Sequence, residues 1–134
     1  MAGYSGKPLA EKLGLRVGDL SVAVGAPQGY VEMLGEMGRG VRTGDAPVAG
    51  AAFIHLFAAR RDALETLIAQ ALAAMDRHGM IWVSWPKRAS KVPTDVTEDV
   101  IREIALPLGL VDVKVCAVDE VWSGLKLVIR KELR

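Results

Sequence analysis

Met80-Ile81-Trp82-Val83-Ser84-Trp85 holds five apolar residues in six, with no charge and no alternation, and runs into Pro86. A run of that kind predicts a strand covered on both faces, as in a parallel sheet between helices. Pro86 cannot donate a ladder hydrogen bond, so the strand is expected to stop there. Ala52 to Ala58 has the same character and predicts a second buried strand, and Leu20 to Val24 a short one upstream. Leu64, Leu67, Ile68, Ala71, Leu72 and Met75 recur at the spacing of one helix face, preceded by Asp62 and Glu65 at capping-box distance. His78-Gly79 is expected to end that helix. Lys7 to Leu13 predicts a short leading helix closed by Gly14, and Tyr30 to Met37 another, with Val31, Leu34 and Met37 along one side. Thr94, Asp95 and Thr97 offer caps for a helix whose buried side is Val100, Ile101 and Ile104.

Towards the end of the chain the period changes to two. Val111, Val113, Val115 and Ala117 alternate with Asp112, Lys114 and Cys116, and Leu125, Leu127 and Ile129 alternate with Lys126 and Arg130. Two alternating runs with a short connection predict an antiparallel hairpin. Residues 38–51 carry four glycines and few large apolar residues, which predicts a loop with at most a short edge strand near Val41. The whole, residues 1–134, reads as one three-layer α/β domain whose mostly parallel sheet ends in an antiparallel hairpin.

Composition narrows the function classes. The chain is 51% hydrophobic and 25% charged, which is globular, with 17 basic against 16 acidic residues. The 79 residues to Gly79 hold 8 of each sign and the remainder 9 and 8, so neither half has the excess expected of a nucleic-acid-binding surface. A single cysteine, Cys116, excludes an internal disulfide and suits a reducing cytoplasm. The segment from Met1 to Pro8 has no apolar core of an export signal, and no apolar run reaches membrane-spanning length.

Loops after parallel strands gather at one end of a sheet, where ligands bind. Those loops are Gly25 to Gly29, Ala59-Arg60-Arg61, and Trp85 to Lys91; they would bring Gly25, Gly29, Arg60, Arg61, Lys87, Arg88 and Lys91 to one anion-binding edge. Helix amino termini there would add free N–H groups, and Ser84 and Ser90 hydroxyls. The competing reading is a solvated edge partly neutralised by Asp62 and Asp95. A second cluster, Asp119, Glu120, Trp122 and Ser123, falls in the hairpin connection, where acidic turn residues with a plugging tryptophan are commoner than chemistry. His55 lies inside an apolar run and is expected to be a hydrogen-bonded core histidine. No metal-ligand spacing and no catalytic constellation is present in the sequence, so neither a metal site nor a catalytic residue is predicted.

The order of elements resembles a truncated class I methyltransferase, a Rossmann-like fold that ends in such a hairpin. That resemblance implies S-adenosylmethionine at a glycine-rich loop after the first strand, an acid on that strand, and an acid after the second strand for the ribose hydroxyls. Here the first strand has no acid, the loop keeps only Gly25 and Gly29, and the second acid would be Asp45. Separately, the blocks MAGYSGKPLAEKLGL, VGAPQGY, GMIWVSWPK, TDVTEDVIRE and VDVKVCAVDEVWSGLKLVIRK look like those of a small bacterial family catalogued as a domain of unknown function, which implies a bacterial cytoplasmic setting and no assigned site. The first expectation is therefore a non-catalytic or weakly catalytic domain that binds a small anionic or nucleotide-like ligand, with no membrane or nucleic-acid partner. The alternatives are a scaffold that docks a partner or forms a homodimer through the hairpin and Trp122, and an S-adenosylmethionine-dependent, methyltransferase-like protein.

Overall fold

The computed structural model describes residues 7–134; Met1 to Gly6, most of the segment read for an export signal, lie outside them. Six strands form one sheet in the order β2-β1-β3-β4-β6-β5. They are β1 (Ser21–Val24), β2 (Val41–Gly44), β3 (Phe53–Phe57), β4 (Met80–Pro86), β5 (Leu110–Ala117) and β6 (Trp122–Ile129). The first four are parallel, and β6 inserts antiparallel between β4 and β5. Every residue of β1 and β3 is buried, as the unbroken apolar runs require of strands covered on both faces.

Alternate residues of these strands feed two cores. Val22, Ile54, Leu56, Ile81 and Val83 pack under α3 (Arg61–Ala74) and α4 (Glu98–Ala105), against Leu64, Ile68, Ala71 and Ile101. Ala23, Phe53, Phe57 and Trp82 point the other way, towards α1 (Leu9–Leu13) and α2 (Tyr30–Met33), and meet Ala10, Leu13, Tyr30 and Leu34. The result is helix, sheet, helix. Trp82 is fully buried, and its indole N–H donates to the Leu13 carbonyl at 2.8 Å, tying α1 to the middle of the sheet.

Several boundaries differ from the expectation for identifiable reasons. The helix expected over Tyr30 to Met37 stops at Met33, because Gly35 takes φ 68°, and a 3-10 turn over Gly35–Gly40 follows. The 38–51 segment does carry the short edge strand expected near Val41, β2 at Val41–Gly44, with Arg42, Thr43 and Gly44 exposed. The helix α3 begins with Arg60 as its N-cap, so Asp62 lies inside the first turn and no capping box forms. It ends at Ala74, so His78 lies beyond it, in a turn where its N–H donates to Asp76 at 2.8 Å. Thr97 caps α4 as expected of one of the three candidates, its hydroxyl accepting from the Val100 N–H at 3.2 Å.

The alternation in β5 does not hold through the strand. A β-bulge between Asp112 and Lys114 inserts one extra residue, so the inward parity changes midway. Leu110 and Cys116 are buried, whereas Val113 and Val115 are 52% and 51% exposed on the sheet's outer edge.

Candidate functional site

The order of strands reverses at β1: the chain moves out to β2, then crosses back to lay β3 on β1's other side. In open α/β sheets the crevice at the carboxyl ends of the strands beside such a reversal is the usual ligand site. Gly25 ends β1 at φ 71°, with its N–H donating to the Gly44 carbonyl at 3.3 Å. A Cβ on Gly25 would stand 3.1 Å from the Phe57 carbonyl oxygen, so only glycine fits this junction of β1, β2 and β3. Gly29 takes φ 85° just before α2, with open space where its Cβ would be, and Gly44 is equally open. Asp45 follows Gly44 directly and is exposed, which places a carboxylate at the end of β2 beside this bare backbone.

A buried polar chain joins α2, β3 and β4, and no spacing along the chain announces it. The Tyr30 hydroxyl meets His55 Nδ1 at 2.8 Å, and His55 Nε2 meets the Ser84 hydroxyl at 2.7 Å. The three residues come from α2, β3 and β4 and are essentially inaccessible. Burial drives the imidazole pKa down to about 3 and raises that of the phenol, so both are neutral at physiological pH. His55 is thus the satisfied core histidine its surroundings predicted. The ring also stacks on Phe57 at 4.2 Å, and Trp122 closes edge-on over Phe57 at 5.1 Å.

The seven residues expected at one anion-binding edge fall into three groups. Gly25 and Gly29 lie at the switch point just described. Arg60 is paired with Asp62, whose carboxyl pKa that contact lowers. Arg61 is held by Glu103 at 2.8 Å and Glu65 at 3.6 Å. The amino terminus of α3 already has an anion: the Arg61 N–H donates to Asp95 at 2.6 Å, and the Ala59 carbonyl accepts from the Thr94 hydroxyl at 2.6 Å. Lys87, Arg88 and Lys91 make no ion pair among the described residues. Arg88 and Lys91 line a groove of about 620 Å³ beyond β4, on the α4 side of the sheet.

In the hairpin cluster, Asp119 accepts from the Val121 and Trp122 N–H groups at 2.8 and 2.7 Å, so its carboxylate builds the turn. Ser123 is in the β6 ladder opposite Trp85, and Glu120 is exposed. The outer edge beside them carries the bulge, Asp112 and Lys114, features that discourage edge-to-edge pairing. Among the described residues there is no cluster of histidine, cysteine or carboxylate side chains able to hold a metal ion, and no helix is long and apolar enough to cross a membrane.

No protein-family profile matches the chain, and no curated protein matches it in sequence. Solved structures do match in shape. The tRNA methyltransferase TrmK of B. subtilis superposes with a TM-score of 0.58 at 11% identity, over 90% of this chain and 63% of its own. Aeropyrum pernix fibrillarin, solved with natively bound S-adenosyl-L-methionine, gives 0.57 at 16% identity, over 95% of this chain and 71% of its own. The fold is that of the class I methyltransferases. LepI, solved in complex with SAM, gives 0.56 at 14% identity over 92% of this chain. The chain spans 47% of the length of LepI, so the likeness is to a core of that larger protein.

Proposed function

We propose that this methyltransferase-fold domain binds an S-adenosylmethionine-class ligand in the crevice at the carboxyl ends of β1, β2 and β3. The observation that carries the reading is the coincidence of the switch point with Asp45, which stands immediately after β2 and 20 residues after Gly25. Dinucleotide-binding folds place the acid that holds a ribose hydroxyl at about that separation from the glycine loop. The residues present fit the nucleoside half of such a ligand. Asp45 accepts hydrogen bonds from the ribose hydroxyls, and the bare backbone of Gly29 and Gly44 leaves room for close approach. Fibrillarin and LepI, which share the fold, are described with this ligand bound.

The fit is poorer at the other half. No residue of β1, Ser21-Val22-Ala23-Val24, offers a carboxylate to an amino group. When bound, such a ligand supplies a sulfonium methyl for transfer. The chain's own residues contribute binding and position: His55 has both nitrogens engaged and is buried, so it does not serve as a base at the crevice. This weights the reading towards a binding domain over a fully equipped catalyst.

Asp45→Asn tests the assignment. Losing a charge-assisted hydrogen bond costs about 1.5–3 kcal/mol, which should weaken S-adenosylhomocysteine binding by roughly ten- to a hundredfold. Calorimetric titration of both proteins reads this directly. An affinity within twofold of the parent would remove Asp45, and the crevice with it, from the site.

A further inference from the structure

The groove beyond β4 has no part in the crevice reading. Its apolar floor is Trp85 with Val96, both buried, and its volume of about 620 Å³ is within the usual range for small-molecule sites. Its lining carries three cations, Arg88, Lys91 and Arg102, against two carboxylates, Glu98 and Asp99. Arg102, on the α4 wall, pairs with Glu98 at 2.9 Å, Asp99 at 3.2 Å and Asp112 at 3.1 Å, so Glu98 and Asp99, the two carboxylates of the lining, share one cation. Arg60 and Arg61 on the neighbouring loop are likewise held. Arg88 and Lys91, facing the same groove, make no ion pair among the described residues.

The loop that carries these two cations is fixed by its own bonds. The Lys87 N–H donates to the Val121 carbonyl at 2.7 Å, and the Ser90 hydroxyl donates to the Lys87 carbonyl at 2.7 Å while accepting from the Val92 N–H at 3.2 Å. Lys91 is held at φ 62°, the one described non-glycine residue in the left-handed region. A side-chain-bearing residue adopts that conformation only against steric resistance, and such strain collects at functional sites. Two cations without an ion-pair partner, on a loop fixed by its own hydrogen bonds above an apolar floor, are placed to receive an anion, with the guanidinium fork suited to phosphate.

We infer that the groove lined by Trp85, Arg88 and Lys91 binds a phosphorylated small molecule with a compact apolar body, at a site separate from the switch-point crevice. The phosphate oxygens accept from Arg88 and Lys91, and the apolar body rests on Trp85 and Val96. The inference does not depend on the crevice reading.

Phenyl phosphate is a suitable probe because it has no nucleoside to direct it to the crevice. Calorimetric titration should show saturable binding, tighter than that of inorganic phosphate by tenfold or more. Arg88→Gln with Lys91→Gln should weaken phenyl phosphate by at least tenfold while leaving S-adenosylhomocysteine affinity within twofold, and Asp45→Asn should do the reverse. Both cations are exposed, so folding of the double variant is expected to be unaffected and is checked by its melting curve. A Lys91→Gly variant, which removes the charge while relieving the backbone, should lose phenyl phosphate affinity although its stability rises. No saturable binding of phenyl phosphate, or binding unchanged in the double variant, would overturn the inference.

Discussion

Trp82→Ala should lower the unfolding free energy by about 3–5 kcal/mol, the usual cost of emptying a large aromatic site. The indole is fully buried between β4 and the α1–α2 layer, and a Cβ on Gly124 would stand 3.1 Å from its ring, so little slack exists to collapse into the void. Loss of the bond to Leu13 would also unfasten α1, a five-residue helix too short to persist without tertiary support. Trp82→Phe separates the two contributions: it keeps most of the apolar volume and sacrifices the hydrogen bond, for a smaller loss. Urea denaturation of both variants measures the difference. Equal losses in the two would show that the bond to Leu13, and not the packing, holds this region.

The second large effect is acid lability centred on His55. Its folded pKa of about 3 lies below the ordinary value of 6.5, so between those limits the unfolded chain binds a proton that the folded chain does not. Stability from this group is therefore complete above pH 6.5 and falls as the pH is lowered towards 3. The slope is about 1.4 kcal/mol per pH unit, or roughly 2 kcal/mol lost between pH 6.5 and 5. Desolvation is the cause, since protonation would place a charge among Tyr30, Phe53 and Phe57. In His55→Gln, which keeps a donor and an acceptor at this position without titrating, the fall between pH 6.5 and 5.5 should disappear. Denaturant midpoints across that window read it, and an identical slope in the variant would assign the lability to other groups.

The parts of the fold legible in the sequence are those whose environment is uniform along the run. β3 and β4 are covered on both faces, and their unbroken apolar stretches say so; the face of α3 is a clean helical repeat. The edge strands were harder. β2 exposes Arg42, Thr43 and Gly44, so it carries no burial pattern, and β5, at the other edge, leaves Val113 and Val115 about half exposed in spite of their regular alternation. The candidate sites show a similar division. Gly25, Gly29 and Asp45 fall at the carboxyl ends of β1 and β2, and Asp45 could be placed there only once β2 was in position. Which cations stay free was not legible, because Arg61 is neutralised by Glu103 and its N–H by Asp95, residues 42 and 34 positions away. The Tyr30–His55–Ser84 chain is hidden for the same reason: three elements contribute one residue each.

The most direct test of the crevice assignment is to follow backbone amide resonances of the isotope-labelled 14.4 kDa chain while titrating S-adenosylhomocysteine. Saturable shifts are expected, concentrated at Gly25, Gly29, Gly44 and Asp45, with Arg88 to Lys91 unmoved. Shifts confined to the groove beside Trp85, or none at any concentration, would contradict the assignment.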